Sequence, residues 1–118
     1  MNVETFREHC LKKKGVIEEF PFDNTTLVFK VMGKIFALTN IASEEFSISL
    51  KCSPEEAISL REQYETVQAG YHLNKKHWNT IYANRDIPDR LLTQWIDKSY
   101  ELVVQGLPKK AQKYLKNL

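Results

Sequence analysis

Seven consecutive residues, His72-Leu73-Asn74-Lys75-Lys76-His77-Trp78, gather two imidazoles, a carboxamide, two ammonium groups and an indole just after Gly70. Such a set suits metal binding, proton transfer or nucleic-acid contact. His72 and His77 lie five apart, but a zinc-type site wants a third ligand of matching softness. His9 belongs to a different predicted helix and no cysteine is close by, so no metal and no cofactor are expected. An imidazole suits proton transfer near neutral pH, which makes His77, with Tyr100 as helper, the nearest thing to a catalytic pair. Neither Ser99 nor Cys52 stands in a nucleophile signature, and paired carboxylates and a phosphate loop are missing. The sequence therefore reads as a binding protein, with no catalytic residue assigned.

For nucleic-acid contact, Lys75 and Lys76 would neutralise phosphates and Asn74 would grip an adenine edge or the backbone. The plainer alternative has Asn74 closing a turn, the lysines solvated, and His77 satisfying backbone groups beside Trp78. Trp78 alternates with Thr80 and Tyr82, so one strand face holds all three; the core side is expected for the indole.

The chain has 118 residues, 42% apolar and 27% charged, which fits one soluble domain over 1–118 with its own core. The net charge is only +2, but it is unevenly spread. Residues 1–15 carry Arg7, Lys12, Lys13 and Lys14 against Glu4 and Glu8, a net +2. Residues 101–118 carry Lys109, Lys110, Lys113 and Lys116 against Glu101, a net +3, which leaves the middle at −3. The basic ends form a patch only if they meet in space. Two cysteines, Cys10 and Cys52, make no disulfide framework; Cys10 falls on an apolar helix side, where a thiol behaves as a small hydrophobe. With no signal-like apolar core at the start and no bilayer-length apolar run, a cytoplasmic protein without membrane contact is expected.

Periodicity supplies the elements that would position these groups. Residues 2–14 read as a helix with Val3, Phe6, Cys10 and Leu11 in one stripe, stopped by Gly15. Residues 16–51 change to period two: a short run ending at Phe20-Pro21-Phe22, a strand over 25–31, a tight link at Met32-Gly33, a strand over 35–39, and a third where Phe46, Ile48 and Leu50 oppose Ser47, Ser49 and Lys51. Ser53-Pro54-Glu55-Glu56 opens a helix, with Ser53 and Glu56 satisfying each other's free amides. A strand over 78–82 follows. A long helix from Pro88 to about Gln105 sets Leu91, Leu92, Trp95, Ile96, Ser99, Leu102 and Val103 on one face. Within it, Ser99 is expected to bond back to a carbonyl one turn earlier, and Tyr100 to reach the His77 region. Gly106 ends that helix, and Pro108 starts a short lysine-rich one. The order implies an α+β fold, an antiparallel sheet of about four to five strands with helices packed against it.

An ordered set of short motifs carries a resemblance: Phe20-Pro21-Phe22; Phe29-Lys30-Val31, Gly33-Lys34 and Phe36-Ala37; Leu50-Lys51-Cys52 and Pro54; Asn74-Lys75-Lys76-His77-Trp78; Ser99-Tyr100; Leu107-Pro108-Lys109-Lys110. Over nearly the whole chain it resembles the MmcQ/YjbR family of small bacterial proteins. The resemblance implies a frataxin-like (CyaY-like) sheet-and-helix arrangement and a DNA-binding role through paired wings. Tyr71 departs from the pattern, since family members commonly have proline there. Frataxin-type iron binding relies, by fold analogy, on an acidic first helix, and this first helix is net basic.

The resulting expectation is a small cytoplasmic protein that binds DNA, mostly through phosphates. Lys30, Lys34 and Lys51 lie on the sheet wings, Asn74, Lys75, Lys76 and His77 on the loop, and Lys109 and Lys110 on the tail. The competing expectation is a protein-interaction or small-ligand module with no nucleic-acid role, using the polar 72–77 loop as a pocket wall.

Overall fold

The computed structural model describes residues 1–70 and 73–118. Helix α1, Val3–Leu11, begins where Asn2 and Thr5 bond each other's backbone N–H groups, at 2.9 and 3.0 Å. It stops at Leu11, short of the expected residue 14, and the chain turns through Lys12 to Gly15 into strand β1, Val16–Glu19. Strands β2 (Thr26–Val31) and β3 (Lys34–Asn40) form a hairpin. Its two linking residues, Met32 at φ 49° and Gly33 at φ 81°, both take the left-handed backbone that a two-residue hairpin requires. Strand β4, Ser47–Lys51, completes a four-stranded meander.

Helix α2, Pro54–Gln63, is capped by Ser53, which accepts from the Glu56 N–H at 3.3 Å. The reciprocal half of the expected capping box does not form, because the Glu56 carboxylate turns to Lys98 at 3.2 Å. Strands β5 (Val67–Ala69) and β6 (Trp78–Tyr82) follow, with β6 paired to β4 and β5 on the outside. Helix α3, Asp89–Gln105, and helix α4, Lys109–Lys116, end the chain. The α+β reading holds, but among the described residues the sheet has six antiparallel strands, in the order β1-β2-β3-β4-β6-β5. The extra strand is β5, three residues long and too short for an alternation to mark.

One sheet face carries the core. Phe29, Ile48, Leu50 and Ile81 project into a cluster with Phe6 and Cys10 from α1, Leu60 from α2, and Leu92, Trp95, Ile96 and Val103 from α3. Phe6 meets Phe29 edge-on at 5.3 Å. Complete burial of a side chain such as Leu92 or Ile96 contributes about 1.5–3 kcal/mol. The opposite face carries Val28 and Ser49, both buried, with the half-buried Thr80 and Tyr82, and these four stay outside this cluster. Ser49 and Thr80 join their hydroxyls across that face at 2.8 Å.

The two basic ends do meet. The Lys14 ammonium donates to the Lys116 carbonyl at 3.0 Å, and a Cβ on Gly15 would stand 2.5 Å from Leu115 Cδ1. Lys13 is neutralised by Asp97, which His9 also contacts at 2.8 Å.

Candidate functional site: a basic groove at the open end of the sheet

The β3–β4 ladder is short. Only Ala37↔Leu50 and Leu38↔Ser49 pair, and Phe36 is an extra residue in the β2–β3 register, which passes from Phe29↔Ala37 to Lys30↔Ile35. Beyond that bulge β3 and β4 part, leaving the Phe36 carbonyl and the Lys51 N–H without strand partners. Ser99 fills the gap from α3. Its buried hydroxyl donates to the Phe36 carbonyl at 2.5 Å and accepts from the Lys51 N–H at 2.9 Å. The expected bond to its own helix is replaced by a bolt between two strands, which leaves no buried backbone group orphaned there.

Where the strands part, a groove of about 480 Å³ opens, lined by Gly33, Lys34, Ile35, Lys51, Trp78, Leu102, Val103 and Gly106. Lys51 sits directly across from Trp78 in the β4–β6 register. Lys34 is exposed on the hairpin and Lys51 half-buried. Neither is in an ion pair among the described residues, whereas Lys30 is tied to Glu19. Lys30 is therefore a neutralised member of the expected set.

Trp78 is not a core residue. Asn79 and Ile81 are the buried alternates of β6, so Trp78, Thr80 and Tyr82 take the opposite face, and the indole is only half-buried. Asn79 reverses the simple pattern because its amide donates to the Ala57 carbonyl of α2 at 3.1 Å. Gly70 lets β6 come close: a Cβ there would be 2.9 Å from Trp78 Cβ, and its N–H donates to the Trp78 carbonyl at 3.0 Å.

The corner before Trp78 is held mainly by its backbone. The Asn74 carbonyl accepts from the N–H groups of His77 and Trp78, at 3.2 and 3.0 Å, while Asn74 Oδ1 accepts from the Lys76 N–H at 2.9 Å. Arg61 of α2 donates to the Lys75 carbonyl at 3.1 Å, and the His77 carbonyl accepts from the Cys52 N–H at 2.7 Å. The main chain of His77, and not its ring, makes these bonds among the described residues. Lys75 and Lys76 point freely into solvent. Lys109 and Lys110 are exposed at the start of α4, just past Gly106 of the groove. Tyr71 and His72 lie outside the described residues, and with them half of the histidine pair and the departure at residue 71.

Tyr100 is not brought to His77. Its phenol donates to the Lys14 carbonyl at 2.7 Å and its ring meets Phe36 edge-on at 5.3 Å, at the α1 end of the molecule. Burial pushes the thiols up, Cys10 to about 12 and Cys52 to about 11, so both are poor nucleophiles. Among the described residues no group of three His, Cys, Asp or Glu side chains is placed to hold a metal ion. No described helix is long and apolar enough to cross a membrane.

A single antiparallel sheet with helices packed on its core face and a lysine–tryptophan groove at its end defines an α+β protein. The chain belongs to the YjbR family, whose family model matches residues 11–102. It is 33% identical over 118 residues to the uncharacterised protein YjbR of Escherichia coli strain K12, covering all of both chains. It is 38% identical over 110 residues to the uncharacterised YbdF of Escherichia coli O157:H7, covering 93% of this chain and 90% of that one. A solved structure of a Deinococcus radiodurans protein with a DUF419 domain superposes with a TM-score of 0.91 at 39% identity, over 98% of this chain and 88% of that one.

Proposed function

We propose that this protein binds nucleic acid at the open end of its sheet, as a cytoplasmic binding protein and not an enzyme. One observation carries the reading: Lys34 and Lys51, free of ion pairs among the described residues, flank the half-buried indole of Trp78 in the groove. Ammonium groups meet phosphates, and an indole offers a base an apolar plate. The exposed Lys75 and Lys76 precede Trp78 by three and two residues, so they extend the same positive rim. Contact is mainly electrostatic and therefore salt-sensitive. Two buried or half-buried free thiols suit a reducing compartment.

An anisotropy titration with labelled oligonucleotides at low salt tests the reading; affinity no better than millimolar would falsify it. The size of the groove, about 480 Å³, favours a second reading, a small anionic ligand with a planar apolar part. Thermal stabilisation by a mononucleotide, with no response to oligonucleotides, would select that one.

A further inference from the structure

We propose that the nucleic acid taken here is single-stranded, its bases stacking on Trp78 and Tyr82 while its phosphates meet Lys51 and Lys34. This rests on the nucleic-acid reading above. Strand β6 presents both half-buried rings on the face opposite its buried Asn79 and Ile81, and neither ring belongs to the core cluster. Four residues along a strand separate them by about 13 Å, so one extended strand can engage both.

Lys51 and Trp78 are directly opposed across β4 and β6. Opposed side chains on one sheet face start about 5 Å apart, which sets an ammonium beside an indole as phosphate and base stand in one nucleotide. The Tyr82 ring is braced from one side by Arg85, whose guanidinium lies 4.6 Å from its centroid. Arg85 is itself fixed by Glu45 through two bonds of 2.6 Å. A guanidinium plane is also a stacking surface for bases.

A duplex offers this face little. Its bases are stacked on one another, and reading their edges needs an element that enters a groove. The Asn74 carboxamide suits an adenine edge by type, but its Oδ1 is engaged by the Lys76 N–H.

The test compares an oligo-thymidine strand with a length-matched duplex, by anisotropy at low salt, on the wild type, Trp78→Ala, Trp78→Phe and Tyr82→Ala. The strand is expected to bind more tightly than the duplex. Trp78→Ala and Tyr82→Ala are expected to weaken strand binding about 5- to 150-fold each and to leave duplex binding unchanged, with Trp78→Phe recovering most of the loss. Strand addition should quench tryptophan emission in the wild type and not in Trp78→Phe, a readout that serves if Trp78→Ala fails to fold. A preference for duplex, equal losses on strand and duplex, or no quenching overturns the stacking inference and leaves nucleic-acid binding standing. Binding of neither overturns both.

Discussion

Ser99→Ala removes one hydroxyl that serves two strands, and the cost can be worked from its partners. The Phe36 carbonyl, beside a fully buried side chain, loses its donor. A buried polar group left unsatisfied costs about 1–3 kcal/mol. The Lys51 N–H loses its acceptor too, but it borders the groove, where water replaces the bond at a cost nearer ~0–1 kcal/mol. Alanine's better helix propensity returns about 0.5 kcal/mol. The net expectation is a loss of about 0.5 to 3.5 kcal/mol, centred near ~2 kcal/mol. For a chain of 118 residues the entropy of unfolding is about 0.25 kcal/mol per degree. The midpoint should therefore fall by about 2 to 14 °C, centred near ~8 °C. Urea unfolding followed by circular dichroism measures the free energy, and amide exchange at Lys51 reports the local loss. Ser59→Ala, on the exposed side of α2, is the control and should shift stability by less than about 0.5 kcal/mol. A Ser99→Ala variant as stable as that control, with Lys51 still protected, would refute the bolt.

Other consequences concern the helices around the site. Gly15→Ala should destabilise by about 2 kcal/mol or more, because φ is 72° and the new Cβ would strike Leu115 of α4; thermal melts measure it, and a neutral result would detach α4 from the α1 turn. Burial opposes ionisation of Asp97, but hydrogen bonds from Lys13 and His9 and their charge hold its carboxyl below the ordinary range. Its folded value lies below its unfolded one, so its stabilisation is present above the ordinary carboxylate range, near pH 4, and is lost as pH falls through the folded value. Asp97→Asn should lower stability at neutral pH and flatten the acid limb of the stability profile; an unchanged limb counts against the link between α1 and α3.

Much of the scaffold was legible in the sequence. The stripe of Leu92, Trp95, Ile96 and Val103 is what a helix roofing a sheet requires. The alternation around Ile48 and Leu50, and the Met32-Gly33 link, likewise carried their strands into the structure. Trp78 did not read correctly because alternation says which residues share a face and not which face is dry. The deciding residue is Asn79, polar by type but buried through its bond to Ala57. Ser99 was legible as a buried hydroxyl, but its partners, Phe36 and Lys51, lie 63 and 48 residues away. Local spacing has no access to such a gap between strands. The meeting of the basic ends is likewise a product of α4 packing beside Gly15. The motifs around Gly33-Lys34, Lys51-Cys52, Asn74–Trp78 and Gly106 stand apart in the chain, and the end of the sheet gathers them.

The salt dependence of oligonucleotide binding tests the central claim most directly. Four rim lysines, Lys34, Lys51, Lys75 and Lys76, would give a slope of log affinity on log salt of about −2.8 for a single strand. That is a loss of about 50-fold between 50 and 200 mM salt. Lys34→Ala with Lys51→Ala should weaken binding at low salt and make the slope about 1.4 shallower. Binding indifferent to salt, or a double variant with the wild-type slope and affinity, would contradict the account.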